Sequence, residues 1–193
     1  MQTVNAKPLP SYPLFIRLFF WKQKRKYGRV LEPGMIWGRS PKVFATVALL
    51  YGALDRRSSP LPPSLRSLVT VRVSQINHCA FCIDINSATL RKRGVSMEAV
   101  AAIEHWRAAD RKLFSDDERL AREYAEAMTL NAVTDELRDR LKARWDEDTM
   151  VELTGLIAFQ NLSSKFNAAL DLPAQGFCRL PEAAAGGGRA PHE

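Results

Sequence analysis

The sequence predicts an all-α fold of six to eight helices, and three observations predict it. Between Pro41 and Leu170, apolar residues recur at three- and four-residue intervals in one segment after another. Several of those segments open on proline, serine or threonine, and one closes on basic residues and a glycine, residue types that suit the unpaired groups of helix ends. Only one stretch alternates like a strand, and nothing else in the chain offers it a partner.

Residues 1–40 are punctuated by Pro8, Pro10, Pro13 and Pro33 and by Gly28, Gly34 and Gly38, and read as an N-terminal arm with one short helix over residues 14–26. "PKVFATVALLYGALDRR" begins with a proline suited to a first helical turn and places Val43, Phe44, Val47, Leu50, Tyr51 and Leu54 close to helical spacing. "SSPLPP" ends it. In "SLRSLVTVRVSQI", Val69, Val71 and Val73 alternate with Thr70, Arg72 and Ser74, yet Leu65, Leu68, Val69, Arg72, Val73 and Ile76 also share a helical face. A lone strand would leave its backbone hydrogen bonds unmade, so helix is expected.

Residues 79–93 read as helix, stopped by "RKR" and Gly94, and Ser96 opens the next. Ser115 and Glu118 have capping-box spacing ahead of "RLAREYAEAMTL". Thr134 precedes "DELRDRLKARW", and residues 148–170 form a longer helix interrupted by the polar run "QNLSSKFN", which either lines a pocket or faces another subunit. The helical domain is expected over residues 41–180. The tail, residues 181–193, has little to bury and is expected to be disordered.

A chain of 193 residues suits one domain with a full core. With 46% apolar and 25% charged residues, it has the composition of a folded protein. The net charge of +7 is concentrated in Lys22, Lys24, Arg25, Lys26 and Arg29, directly after "YPLFIRLFFW". No nucleic-acid partner is expected from a charge so local. Residues 12–29 have the composition of a membrane-surface helix, but packing against the core or another subunit is favoured. The first ten residues are polar and Arg17 interrupts the apolar run that follows, so neither a leader nor a membrane span is expected, and the cytoplasm is the expected compartment.

The chemistry-bearing motif is "NHCAFCIDIN", residues 77–86. On a helix, Cys79, Cys82 and Asn86 fall on one stripe. The unpaired N–H groups and the dipole of a helix's first turn favour a thiolate there, which supports a dithiol redox centre. Two packed apolar thiols, or half a metal site, are the other readings of the spacing. A structural zinc site needs four ligands, and the three histidines of the chain have no diagnostic spacing to this pair, so no metal is expected and no organic cofactor is required.

The run "SLRSLVTVRVSQINHCAFCIDINSATLRKRG", continuing through "LFSDDERLAREYAEAMTLNAVTDELRDRL" to "VELTGLIAFQNLSSKFNAALDLPAQGFC", resembles the carboxymuconolactone decarboxylase and alkylhydroperoxidase AhpD-like superfamily. The resemblance covers roughly residues 41–178 and implies an AhpD-like helical fold with the CxxC opening a central helix. It implies that Cys82 attacks a hydroperoxide and Cys79 resolves the resulting sulfenic acid. It also implies a glutamate twelve residues before the first cysteine and a histidine four after the second, where this chain has Ser67 and Asn86. Neither can exchange a proton near neutral pH. General-base help of that kind contributes about 10²- to 10⁴-fold, so peroxidase activity through the family's relay is expected to be weak.

His78 is the nearest titratable substitute, or else an exposed residue at a helix boundary. Asp84 lies off the cysteine face, Gln75 and Asn77 read as caps or ligand contacts, and Cys178 reads as a lone thiol. The expected function is a thiol-disulfide oxidoreductase with alkylhydroperoxide reductase activity, served by a dithiol protein or small thiol and assembled as a homo-oligomer, a trimer or hexamer by the resemblance. Two alternatives stand beside it: an enzyme acting on a small carboxylated lactone, with Arg72 as carboxylate partner, and a non-catalytic redox-responsive oligomer.

Overall fold

The computed structural model describes residues 3–178, and the tail of residues 181–193 lies outside them. Among the described residues there are nine α-helices and no strand. In chain order they are α1 (Leu14–Tyr27), α2 (Glu32–Trp37), α3 (Pro41–Leu54), α4 (Pro63–Ile76), α5 (Ala80–Lys92), α6 (Met97–Ala102), α7 (Asp116–Thr129), α8 (Asp135–Arg144) and α9 (Glu147–Ala169). The capping box before α7 is formed: Ser115 Oγ accepts from the Glu118 N–H and Glu118 reaches back to the Ser115 N–H.

The valine-rich stretch is helix α4, packed against α5, α7 and α9 at the centre of the fold. Its ambiguous pattern has a physical cause, because α4 is buried on two sides. Leu65, Val69 and Val73 join Ala121, Ala125, Leu153 and Ile157 in one cluster, whereas Leu68 and Val71 join Leu90, Val100, Ile103 and Trp106 in another. A helix between two cores has no single apolar stripe, and its valines fall at every second position as readily as at every third or fourth.

The N-terminal arm holds two α-helices, α1 and α2, where the sequence leads one to expect a single helix. Tyr12, Ile16 and Phe20 are buried against Phe44 of α3. Each such side chain contributes about 1.5–3 kcal/mol on burial. Tyr12 also accepts the Lys7 N–H and donates to the Met35 carbonyl, both at 2.9 Å, tying the chain before α1 to α2. Trp37, at the end of α2, stacks on Phe166 of α9 at 3.6 Å between ring centroids. The arm thus closes over the helical body beside the start of α5.

Candidate active site

The α4–α5 corner sets the cysteines. Asn77 caps the end of α4, and His78 turns the chain through a left-handed conformation (φ 51°). The Cys79 N–H then donates to the Ser74 carbonyl at 3.0 Å, and Cys79 is the N-cap of α5, its carbonyl accepting the Ile83 N–H at 2.9 Å. Cys79 and Cys82 are joined in a disulfide with their Cα atoms 5.2 Å apart. The Cys82 N–H donates to Cys79 Sγ at 3.2 Å, so a first-turn donor of the helix serves the N-cap sulfur.

Both cysteines are buried, but they face different surroundings. Cys82 lines a cavity of about 350 Å³, and Cys79 does not. The walls are apolar and aromatic: Tyr27 and Trp37 from the arm, Phe44 and Tyr51 from α3, Phe81 and Ile85 from α5, and Phe159 from α9. Asn86, Gln160 and Asn167 are among the polar side chains of the same lining. Asn167 Nδ2 donates to Cys82 Sγ at 3.3 Å, while its Oδ1 is buried with no hydrogen-bond partner among the described residues. An apolar cavity of this size with a few polar groups in its lining has the ordinary form of a small-molecule site.

The residues at the two relay positions are engaged with different partners. Asn86 Nδ2 donates to Ser74 Oγ at 3.2 Å, and Gln160 Nε2 donates to the same oxygen at 2.9 Å. Ser74 Oγ in turn donates to the Thr70 carbonyl at 2.6 Å. Ser67 Oγ accepts from Arg93 Nη1 at 2.9 Å, and Arg93 makes a two-pronged pair with Asp55 at 2.7 and 3.0 Å. A void of about 30 Å³ lies between these groups, bordered by Asp55, Ser67, Arg93, Asn86 and Gln160.

The other candidates are accounted for by contacts. His78 is exposed and does not line the cavity. Asn77 Nδ2 donates to Asn161 Oδ1 and Ser164 Oγ of α9, both at 2.9 Å, and Gln75 accepts from Arg72. Arg72 is not a carboxylate anchor for the cavity, because its Nε donates to Glu126 at 2.5 Å. Asp84 is buried and accepts the N–H groups of Gln175 and Cys178 at 2.8 and 2.6 Å, which fastens the chain after α9 to α5. Burial pushes the Cys178 thiol up from its ordinary value.

Sequence reasoning missed Ser74, since a serine inside a helix has no local signal of a shared acceptor. It missed the arm's part in the cavity because Trp37 and Phe166 meet only in the folded chain. The polar run of the last helix was the available clue, and Gln160, Ser163 and Asn167 of that run do line the cavity.

A model of the carboxymuconolactone decarboxylase family matches residues 41–127. The chain is 48% identical over 181 residues to the uncharacterized protein YnjA of Escherichia coli (strain K12), spanning 93% of this chain and 98% of that protein. In fold it is similar to an AhpD-core, uncharacterized peroxidase-related protein from Ralstonia eutropha JMP134, with a TM-score of 0.81 at 18% identity over 91% of this chain and 94% of that one. It is similar also to the C82A form of the debrominase Bmp8 in complex with 2,3,4-tribromopyrrole, with a TM-score of 0.78 at 19% identity over 92% and 94% of the two chains.

Proposed function

Since the chain belongs to the carboxymuconolactone decarboxylase family and has an AhpD-like helical fold, we propose that it is a thiol-disulfide oxidoreductase that reduces organic hydroperoxides through Cys82 and Cys79. The observation that carries this reading is the division of the pair: Cys82 faces a small-molecule cavity, and Cys79 sits behind it at the helix N-cap. In the reduced protein the Cys82 thiolate attacks the outer peroxide oxygen. The O–O bond breaks, the alcohol leaves with a proton, and Cys82 becomes a sulfenic acid. Cys79 then displaces water from that sulfur and forms the disulfide. The peroxide gains two electrons and the dithiol loses two.

An external dithiol closes the cycle by attacking Cys82 Sγ from the cavity. Cys79 is the leaving thiolate in that step, and the Cys82 N–H that points at it makes it a better leaving group. Without a histidine at residue 86, Asn167 supplies the polar contact at the attacking sulfur. The lactone reading loses support with Arg72 bound to Glu126.

Leu14, Leu18 and Trp21 of α1 and Leu49 of α3 stay exposed, which supports self-association through these helices. The decisive measurement is stopped-flow oxidation of the reduced protein by cumene hydroperoxide. Cys82→Ser is expected to abolish peroxide consumption, and a wild-type rate in that variant overturns the proposal.

A further inference from the structure

We infer that the cavity takes a small amphipathic acid, an apolar body with an anionic group at one end, as its hydroperoxide substrate class. This rests on the redox reading of Cys82 and deepens it. Inside, the cavity offers aromatic and aliphatic walls and reaches Cys82 and Asn167, both buried. At its outer edge the character reverses. Lys22 and Lys26, one turn apart on α1, line the same cavity and are exposed, which puts this stretch of the lining at the protein surface. Lys26 Nζ and Lys92 Nζ both lie over the ring of Tyr27, another lining residue, at 5.0 and 5.7 Å from its centre.

Among the described residues, no aspartate or glutamate lines the cavity. The first 54 residues hold nine lysines and arginines against one acidic residue, Glu32, which follows Leu31 on the arm's wall. A wholly apolar ligand gains nothing from this rim, and a compact charged one gains nothing from the aromatic walls. An amphipathic acid uses both, with its carboxylate at the lysines and its chain directed toward Cys82.

The test is calorimetric binding of decanoate and of decanol, each below its aggregation concentration, to the disulfide form. Binding there needs no turnover, so its outcome is separate from that of the peroxide assay. Decanoate is expected to bind more tightly than decanol, with an advantage that shrinks as salt is raised. Lys22→Gln/Lys26→Gln is expected to weaken decanoate about three- to tenfold and leave decanol unchanged. Lys24→Gln/Arg25→Gln removes the same charge from positions that do not line the cavity, and is expected to leave both unchanged. Equal affinities of the wild type for acid and alcohol would overturn the inference. So would an equal loss of decanoate binding in the two double variants.

Discussion

Asn86 and Ser74 are joined by a hydrogen bond of 3.2 Å from the amide nitrogen to the hydroxyl oxygen, across the α4–α5 contact. The position where a proton-handling histidine is expected is therefore held to the neighbouring helix by a group that does not titrate. Asn86→His restores an imidazole that can donate to Ser74 from one nitrogen and face the cavity with the other. Peroxide consumption is expected to rise about tenfold or more, with a new inflection near pH 6.5, read by stopped flow across pH. Ser67→Glu is expected to add less than threefold to that, because Arg93 Nη1, 2.9 Å from Ser67 Oγ, will pair with the new carboxylate.

Ser74→Ala removes the acceptor that Asn86 and Gln160 share and leaves two amide donors to find new partners. A cost of about 1–3 kcal/mol is expected in urea unfolding. The denaturant slope should be unchanged, since the fold itself does not depend on this oxygen.

Asn167→Ala removes the donor to Cys82 Sγ along with the unpartnered Oδ1. A hydrogen bond to a sulfur favours its charged form. In the reduced variant the Cys82 thiol should titrate at higher pH, followed by thiolate absorbance, and the rate with hydroperoxide should fall. Cys178→Ser should change neither, because that thiol is pushed up by burial and lies outside the cavity lining.

Acid stability should depend on Glu126. Burial alone would raise its carboxyl pKa, but hydrogen bonds from Trp106, Arg107 and Arg72 outweigh it and hold the group below its ordinary value. The unfolded chain then takes up the proton first as pH falls. The stabilisation is complete above the ordinary glutamate value of about 4.3 and is lost as pH drops through it toward the folded value. Glu126→Gln should cost about 3 kcal/mol at neutral pH and flatten the decline below pH 5, as thermal melts across pH would read.

Cutting the tether at Asp84 should loosen the chain after α9. Asp84→Ala leaves the Gln175 and Cys178 N–H groups unmet, and Leu172 and Phe177 then hold the segment over the cysteine cluster by packing alone. Faster proteolytic nicking within residues 171–178 is the expected outcome, measured by mass spectrometry under native conditions.

Most helices were legible because their caps and spacing are local: Ser115 with Glu118 before α7, Ser96 before the short α6, and the basic turn of α5 before Gly94 all stand in the sequence as they act in the fold. Helix α2 was not, since six residues containing Pro33 and Gly34 look like a loop. A Cβ at Gly34 would come 3.2 Å from the Gln23 side-chain oxygen that accepts the Leu31 N–H, a tight approach set by α1 and not readable from the local sequence. The cysteines announced themselves by spacing. Their surroundings did not, because Ser74, Gln160 and Asn167 reach the site from helices far apart in sequence, and an amide or hydroxyl in a helix has no pattern of its own.

The cavity is bounded by pieces of different standing. Both cysteines fall inside the stretch that matches the family, residues 41–127, whereas Trp37, Lys22 and Lys26 precede it and Gln160 and Asn167 follow it. Part of the wall around Cys82, though not Phe44, Tyr51, Phe81 or Ile85, is thereby encoded outside the segment that holds the cysteines. On the proposed redox reading, substitution in the first forty residues would alter what the cavity admits while both sulfurs stay where they are, so drift in that arm would be a route by which one inherited reaction acquires new substrates.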